Sequence, residues 1–151
     1  MKFISKSEKK TIRFGRKLAK GLHGGEVIGL MGNLGAGKTV FIKGLAQGLS
    51  IKKTITSPSF VLMKLYRIRN KELGIRNFVH VDAYRLKDEK DLIEIGVLDW
   101  LGKKDTITVI EWADRVKKIL SRRYLRDLPK KAIKIKIKFG KKNNERIITR
   151  Y

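Results

Sequence analysis

Between Glu26 and Gly48 the chain reads EVIGLMGNLGAGKTVFIKGLAQG, and no other stretch constrains the fold as strongly. Its centre, Gly32-Asn33-Leu34-Gly35-Ala36-Gly37-Lys38-Thr39, fits the phosphate-binding pattern G-x-x-x-x-G-K-[ST]. Val27, Ile28, Leu30 and Met31 make a short apolar run before it, the pattern of a buried strand. Val40, Phe41, Leu45, Ala46 and Leu49 recur after it at helical spacing. The order is strand, glycine-rich turn, helix. Phosphate oxygens can be surrounded by backbone N–H groups only where no side chain blocks the approach, which Gly32, Gly35 and Gly37 permit. A helix starting near Lys38 adds free N–H groups and the positive end of its dipole. Lys38 is placed to reach β- and γ-phosphates, and the Thr39 hydroxyl to bind Mg²⁺.

A chain of 151 residues, 42% hydrophobic, suits one domain over residues 1–151 with a real core. No apolar run approaches the ~20 residues of a membrane span. The start, MKFISKSEKK, lacks the apolar core of a secretory signal. With no cysteine, disulfides and thiolate metal sites are excluded. A soluble, cytoplasmic protein is the default expectation. Lys plus Arg number 37 against 14 Asp plus Glu, a net charge of +23. Such a surface attracts ATP and phosphate polymers in a salt-dependent way. The excess is spread over nearly every segment, which favours solvated lysine-rich faces over a dedicated RNA patch.

Along the chain, Phe3 and Ile4 suggest a leading strand. Ser5 with Glu8 matches a capping box for a helix whose apolar or small face is Ile12, Gly15, Leu18, Ala19 and Leu22. His23 falls in the following turn and reads as exposed. Ser57-Pro58-Ser59-Phe60 reads as a fixed loop feeding a strand that runs from Phe60 to Ile68. Such a loop can reach a γ-phosphate or its metal, although spacing alone fits an ordinary turn. That strand is expected to pair as a hairpin with Asn77–Val81, leading into His80-Val81-Asp82-Ala83-Tyr84-Arg85. Alternation puts His80, Asp82 and Tyr84 on one side. Asp82 could orient a water, His80 could bond beside it, and Arg85 could hold a phosphate or an acidic partner. A solvent-facing carboxylate and a surface ion pair are the bland alternatives.

A helix is expected over Lys87–Ile95, then an apolar cluster containing Trp100. Thr106-Ile107-Thr108-Val109-Ile110-Glu111 is a β-branched run ending in a carboxylate. Parallel strands end at one sheet edge, so Glu111 should emerge beside the phosphate loop and join the Mg²⁺ shell. The alternative is a carboxylate capping a helix over Ala113–Ser121. Trp112 could border a nucleotide or be core. Arg122, Arg123, Arg126, Lys130 and Lys131 make a basic hinge around Pro129. Ile133, Ile135, Ile137 and Phe139 alternate with lysines, an amphipathic strand that returns through Arg146–Tyr151 as a hairpin. The fold expected is α/β: a phosphate-loop NTPase-like domain with a mixed, mostly parallel central sheet flanked by helices and a C-terminal β-hairpin.

Together GNLGAGKT, SPSF, HVDAYRL, EIG and IEWAD resemble, in order and over roughly residues 5 to 140, the motifs of the TsaE (YjeE) family. That family serves threonylcarbamoyladenosine formation on tRNA. The resemblance implies ATP and Mg²⁺ as cofactors, with hydrolysis slow alone and stimulated by TsaB and TsaD. It implies contact with tRNA through that complex, and no membrane. Carried over by position, Asn33 to Val40 (Asn33, Leu34, Gly35, Ala36, Gly37, Lys38, Thr39 and Val40) bind the nucleotide. Thr39 and Glu111 hold the metal, Asp82 with Lys38 and Glu111 serves catalysis, and Ser59 takes a switch-like threonine position. Trp112 flanks the site and Glu8 approaches adenine. Ser59 in place of threonine keeps a hydroxyl, whereas Asp114 in place of glutamate shortens that carboxylate's reach.

The main competing reading is a small phosphate-loop kinase acting on a metabolite. The loop and Glu111 would serve it equally, but no acceptor pocket or arginine-bearing lid is identifiable. A GTPase is disfavoured because Asn70-Lys71 continues as Glu72-Leu73, not as a guanine-reading motif. A basic nucleotide- or RNA-binding module would leave the phosphate loop unexplained.

Overall fold

The glycine-rich turn lies between the second strand and second helix of a seven-stranded mixed sheet, in a computed structural model that describes residues 1–121, 124 and 132–151. The strands are β1 (Lys2–Ser5), β2 (Val27–Met31), β3 (Met63–Arg67), β4 (Asn77–Asp82), β5 (Thr106–Glu111), β6 (Ile133–Phe139) and β7 (Arg146–Arg150). Their order is β1-β7-β6-β2-β5-β4-β3. The four central strands β6, β2, β5 and β4 are mutually parallel. At the flanks β3 pairs antiparallel with β4, β7 with β6, and β1 with β7. The expected mixed, mostly parallel sheet and C-terminal hairpin are both present.

The helices α1 (Glu8–Ala19) and α2 (Lys38–Gly48) cover one sheet face, over a core that includes Ile28, Leu30, Phe41, Leu45, Phe78 and Ile135. The helices lie so close that a Cβ on Gly44 would stand 2.3 Å from Ile12 O, a contact only glycine permits. The other face carries the short α3 (Glu89–Glu94) and the segment after β5, around Val79, Val81, Leu92, Val97, Ile110 and Ile119. Every residue of β4 and β5 is buried, as expected of parallel strands covered on both faces. Among the described residues no helix is long and apolar enough to cross a membrane.

Several local expectations change. Ser5 is still in β1, paired with Arg146, so the helix starts later and its cap is Ser7, whose Oγ accepts from Lys10 N at 3.3 Å. A cap of this kind contributes about 1 kcal/mol. Ser5 instead donates to Ser7 O and accepts from Thr11 Oγ1, each at 2.8 Å. The strand expected from Phe60 begins only at Met63. Leu62 has a left-handed φ of 62° and its N donates to Pro58 O, so residues 58–62 turn and leave Phe60 86% exposed. The helix expected over Ala113–Ser121 is a series of turns ending in a 3₁₀ segment at Lys117–Leu120. Ile133, Ile135 and Ile137 are buried as the alternation requires, but Phe139 is half exposed at the sheet edge. The basic hinge at Arg122, Arg123, Arg126, Pro129, Lys130 and Lys131 lies outside the described residues.

Candidate functional site

Parallel pairing sets the register of the site. Leu30 is level with Glu111, and Glu111 with Asp82, so both carboxylates reach the carboxyl edge of the sheet together, where β2 passes into the loop. The loop turns sharply: Gly32 has φ 146°, and a Cβ there would meet Ile137 O at 2.2 Å. The loop therefore leans on β6 at a distance that excludes any side chain. Helix α2 begins at Lys38 without a side-chain cap, since Gly37 takes the N-cap position, and its first N–H groups are left for a ligand.

A cavity of about 540 Å³ opens at this edge. Lys38, Thr39, Asp82, Glu111, Ser59 and Trp112 line it, as do Leu34, Gly35, Gly37, Val40 and Glu8. Ser57, Tyr84 and Arg85 complete the wall. Two of the expected nucleotide contacts do not line it. Asn33 uses its carbonyl within the loop, accepting from Ala36 N at 3.1 Å and from Lys38 Nζ at 2.9 Å. Ala36 is fully buried. The loop curls so that these two residues complete its frame.

The Lys38 ammonium is the cation at the centre. It donates to Gly32 O at 2.8 Å as well as to Asn33 O, and stands 3.7 Å from the centroid of a Trp112 ring. Burial lowers its pKa below the ordinary lysine value, against the opposing charges of Glu111, Asp82 and Asp114. Trp112 is held there by a left-handed backbone, φ 58°, an uncommon conformation for a bulky residue. Its ring also meets Tyr84, with centroids 4.9 Å apart. Asp114 is exposed and does not reach the cavity wall.

Both carboxylates are fixed by neighbours. Asp82 Oδ1 accepts from Tyr84 N at 2.9 Å, and Oδ2 accepts from Ser57 Oγ at 2.8 Å. Ser59 Oγ lies 3.0 Å from Ser57 Oγ and 3.5 Å from Asp82 Oδ2, so Ser57 makes the tighter contact. Glu111 accepts from Thr39 Oγ1 at 3.3 Å on each oxygen, and its Oε1 lies 2.7 Å from His80 Nε2. His80 thus stands beside Glu111, one strand over, and not beside Asp82. A hydroxyl and a carboxylate already in contact are hard oxygen donors, the set Mg²⁺ takes when phosphates and waters supply its other ligands.

One residue at the loop carries no motif. Arg146, on β7, donates from Nε to Ala36 O at 3.1 Å and from Nη2 to Gly35 O at 3.4 Å, while Nη1 holds Asn143 O and Glu145 O at 2.8 and 2.9 Å. Its guanidinium lies 4.7 Å from the Phe139 ring centroid, which explains why Phe139 leaves the core. Arg146, Asn144, Glu8 and Gly37 also line a second cavity of about 270 Å³ adjoining the loop. Arg85, the other arginine at the mouth, packs over the exposed Phe60 ring at 4.9 Å.

A family model described as Threonylcarbamoyl adenosine biosynthesis protein TsaE matches residues 5–148. The tRNA threonylcarbamoyladenosine biosynthesis protein TsaE of Treponema pallidum is 40% identical over 116 residues, 77% of this chain and 81% of that protein. The protein of the same name from Mycobacterium tuberculosis is 40% identical over 119 residues, 76% of this chain and 70% of that protein. A crystal structure of Bacillus subtilis YdiB matches with a TM-score of 0.74 and 27% identity, covering 99% of this chain and 83% of that one.

Proposed function

The chain belongs to the TsaE family of tRNA threonylcarbamoyladenosine biosynthesis, and we propose that it acts there as a cytoplasmic Mg²⁺-dependent ATPase, slow alone and stimulated by the TsaB–TsaD pair. The observation that carries this reading is the convergence of Lys38, Thr39, Asp82 and Glu111 on one cavity at the glycine-rich loop. The loop amides and the free N-terminus of α2 receive the phosphates. Lys38 leaves the carbonyls of Gly32 and Asn33 for the β- and γ-oxygens. Thr39 and Glu111 would hold Mg²⁺, which when bound neutralises charge on the phosphate oxygens. Asp82, its two oxygens set by Ser57 and Tyr84, accepts a hydrogen bond from the attacking water and orients it.

Two features support slow turnover in isolation. Lys38 is bound to its own loop, and that contact must be exchanged for phosphate. The segment carrying Ser57 and Ser59 ends in Phe60 and Val61, 86% and 61% exposed, with apolar surface for a partner to cover. Ordering of that segment by TsaB–TsaD would fix Asp82 and the serines together, and tRNA would be met through the complex. Phosphate release is the test, measured with the chain alone, with TsaB–TsaD, and with small-molecule acceptors. The expected result is Mg²⁺-dependent release that TsaB–TsaD raises clearly. Equal rates with and without the complex, or phosphate appearing on an acceptor, would reject the reading, the second outcome in favour of a kinase.

Arg146 bears on the same reading. Lysine at this position keeps the charge but cannot reach two loop carbonyls and two hairpin carbonyls from one planar group. Arg146→Lys is expected to weaken ATP binding by about three- to tenfold, in proportion to a hydrogen bond of roughly 1 kcal/mol that preorganises the loop. Calorimetric titration checks this, and an unchanged affinity would limit Arg146 to holding the hairpin.

A further inference from the structure

Away from the loop, among the described residues, β1 ends the sheet with one neighbour, β7. Met1 N donates to Arg150 O at 2.9 Å and Arg150 N to Met1 O at 2.8 Å, which makes Met1 and Arg150 a hydrogen-bonded antiparallel pair. Alternation along the ladder then directs the N–H and C=O groups of Phe3 and Ser5 toward β7 and turns those of Lys2 and Ile4 outward, to the open edge of the described sheet. Beside that edge, between β1 and α1, lies a cavity of about 530 Å³. Phe3, Phe14 and Leu18 line its apolar part, and Lys10, Arg13, Lys17 and Arg150 its rim. Among the described residues no acidic residue lines it, and none of these four cations is in an ion pair.

We propose that the free edge of β1 and this cavity together form a docking site for an extended acidic segment of a partner protein, which adds to the sheet as an eighth strand. Main-chain bonds to Lys2 and Ile4 would supply affinity, as in other strand additions. Every second side chain of the added strand faces the α1 layer. An apolar residue there fills the cavity, and acidic residues two positions to either side meet the rim cations. RNA fits less well. The Phe3 and Phe14 rings stack on each other at 4.5 Å with 9° between planes, so that they spend a face of each ring on the other. Phosphates would also face the outward carbonyls of the edge. The site is separate from the nucleotide cavity and does not depend on ATP hydrolysis.

The test uses the full chain and a fluorescein-labelled peptide, Ser-Glu-Thr-Phe-Thr-Glu-Ser, followed by fluorescence anisotropy. Saturable binding is expected. Serine in place of the peptide's phenylalanine should weaken it by at least about tenfold, since a buried aromatic is lost. Ile4→Pro removes one outward N–H from an edge strand, where proline is tolerated, and should weaken binding to a similar degree. N-methylation of alternate peptide amides tests the same bonds without altering the protein, whatever the fold of the proline variant. Arg13→Glu with Lys17→Glu should also reduce affinity and remove most of its salt dependence. Equal binding of the serine peptide, or indifference to N-methylation, would reduce the contact to nonspecific charge and overturn the proposal. So would tighter binding of a single-stranded RNA decamer that displaces the peptide and is weakened by the Arg13 and Lys17 substitutions.

Discussion

Asp82→Asn is expected to lower ATP turnover by about 10²- to 10⁴-fold while changing ATP affinity by less than about threefold. Tyr84 N holds one oxygen of the Asp82 carboxylate and Ser57 Oγ the other, so the group has one orientation and presents its remaining lone pairs to the cavity. Asparagine has nearly the same shape and can keep one of these contacts. It loses the negative charge and half of the acceptor capacity needed to orient a water and draw on its proton. In the proposed mechanism neither property is used to bind the triphosphate, which falls to the loop, α2 and Lys38. The loss should therefore appear in kcat, equivalent to about 3–5 kcal/mol of transition-state stabilisation. Single-turnover hydrolysis together with equilibrium ATP titration separates the two quantities. Normal turnover in the presence of TsaB–TsaD would remove Asp82 from the chemistry.

Ser57→Ala should then have a smaller effect of the same kind, because it frees one carboxylate oxygen without removing the charge. This ordering of the two serines is not visible in the sequence. Ser57 and Ser59 flank one proline symmetrically, and only the folded loop brings one hydroxyl to 2.8 Å from Asp82 Oδ2 and leaves the other at 3.5 Å. What is local in sequence is readable. The run Val27–Met31, the glycines and the helical spacing after Lys38 define one strand–turn–helix unit, and β-branched Thr106–Glu111 defines another strand. Their carboxyl ends meet because parallel strands must share an edge.

What depends on long-range contact, or on an uncommon backbone, is not readable. Arg146 lies 110 positions from Ala36, in a hairpin whose lysine alternation suggests only a solvated face. His80 faces Glu111 because β4 and β5 are adjacent, which no spacing within HVDAYRL discloses. Phe60 and Val61 look like strand residues by composition, yet they are carried outward by a left-handed Leu62. Trp112 meets Lys38 through a similar turn, where helical spacing from Ala113 suggested a regular helix.

That last difference bears on Glu111, the other position where a large effect is expected. Read from sequence alone, its carboxylate could cap a helix or hold a metal. The residues after it form turns, so no regular helix N-terminus stands there to be capped. Glu111 is 3% exposed, and its contacts run to Thr39 and His80. It is also the first among the negative charges that favour the charged form of Lys38 against burial. Glu111→Gln keeps the volume and an acceptor for His80 and Thr39, so the fold should persist, with the thermal midpoint moving by only a few degrees, about 1 kcal/mol. The charge is lost, and the Mg²⁺ concentration that half-saturates turnover should rise by at least about tenfold, since changes to groups that merely orient ligands already cost that much. His80→Gln should shift the same midpoint in the same direction but less, because it leaves the carboxylate charged and only releases its orientation. A titration of turnover against Mg²⁺ at saturating ATP orders the three proteins. If Glu111→Gln lowered stability and left the Mg²⁺ midpoint unchanged, the carboxylate would be structural, and Thr39 would be left as the loop's candidate ligand to the metal.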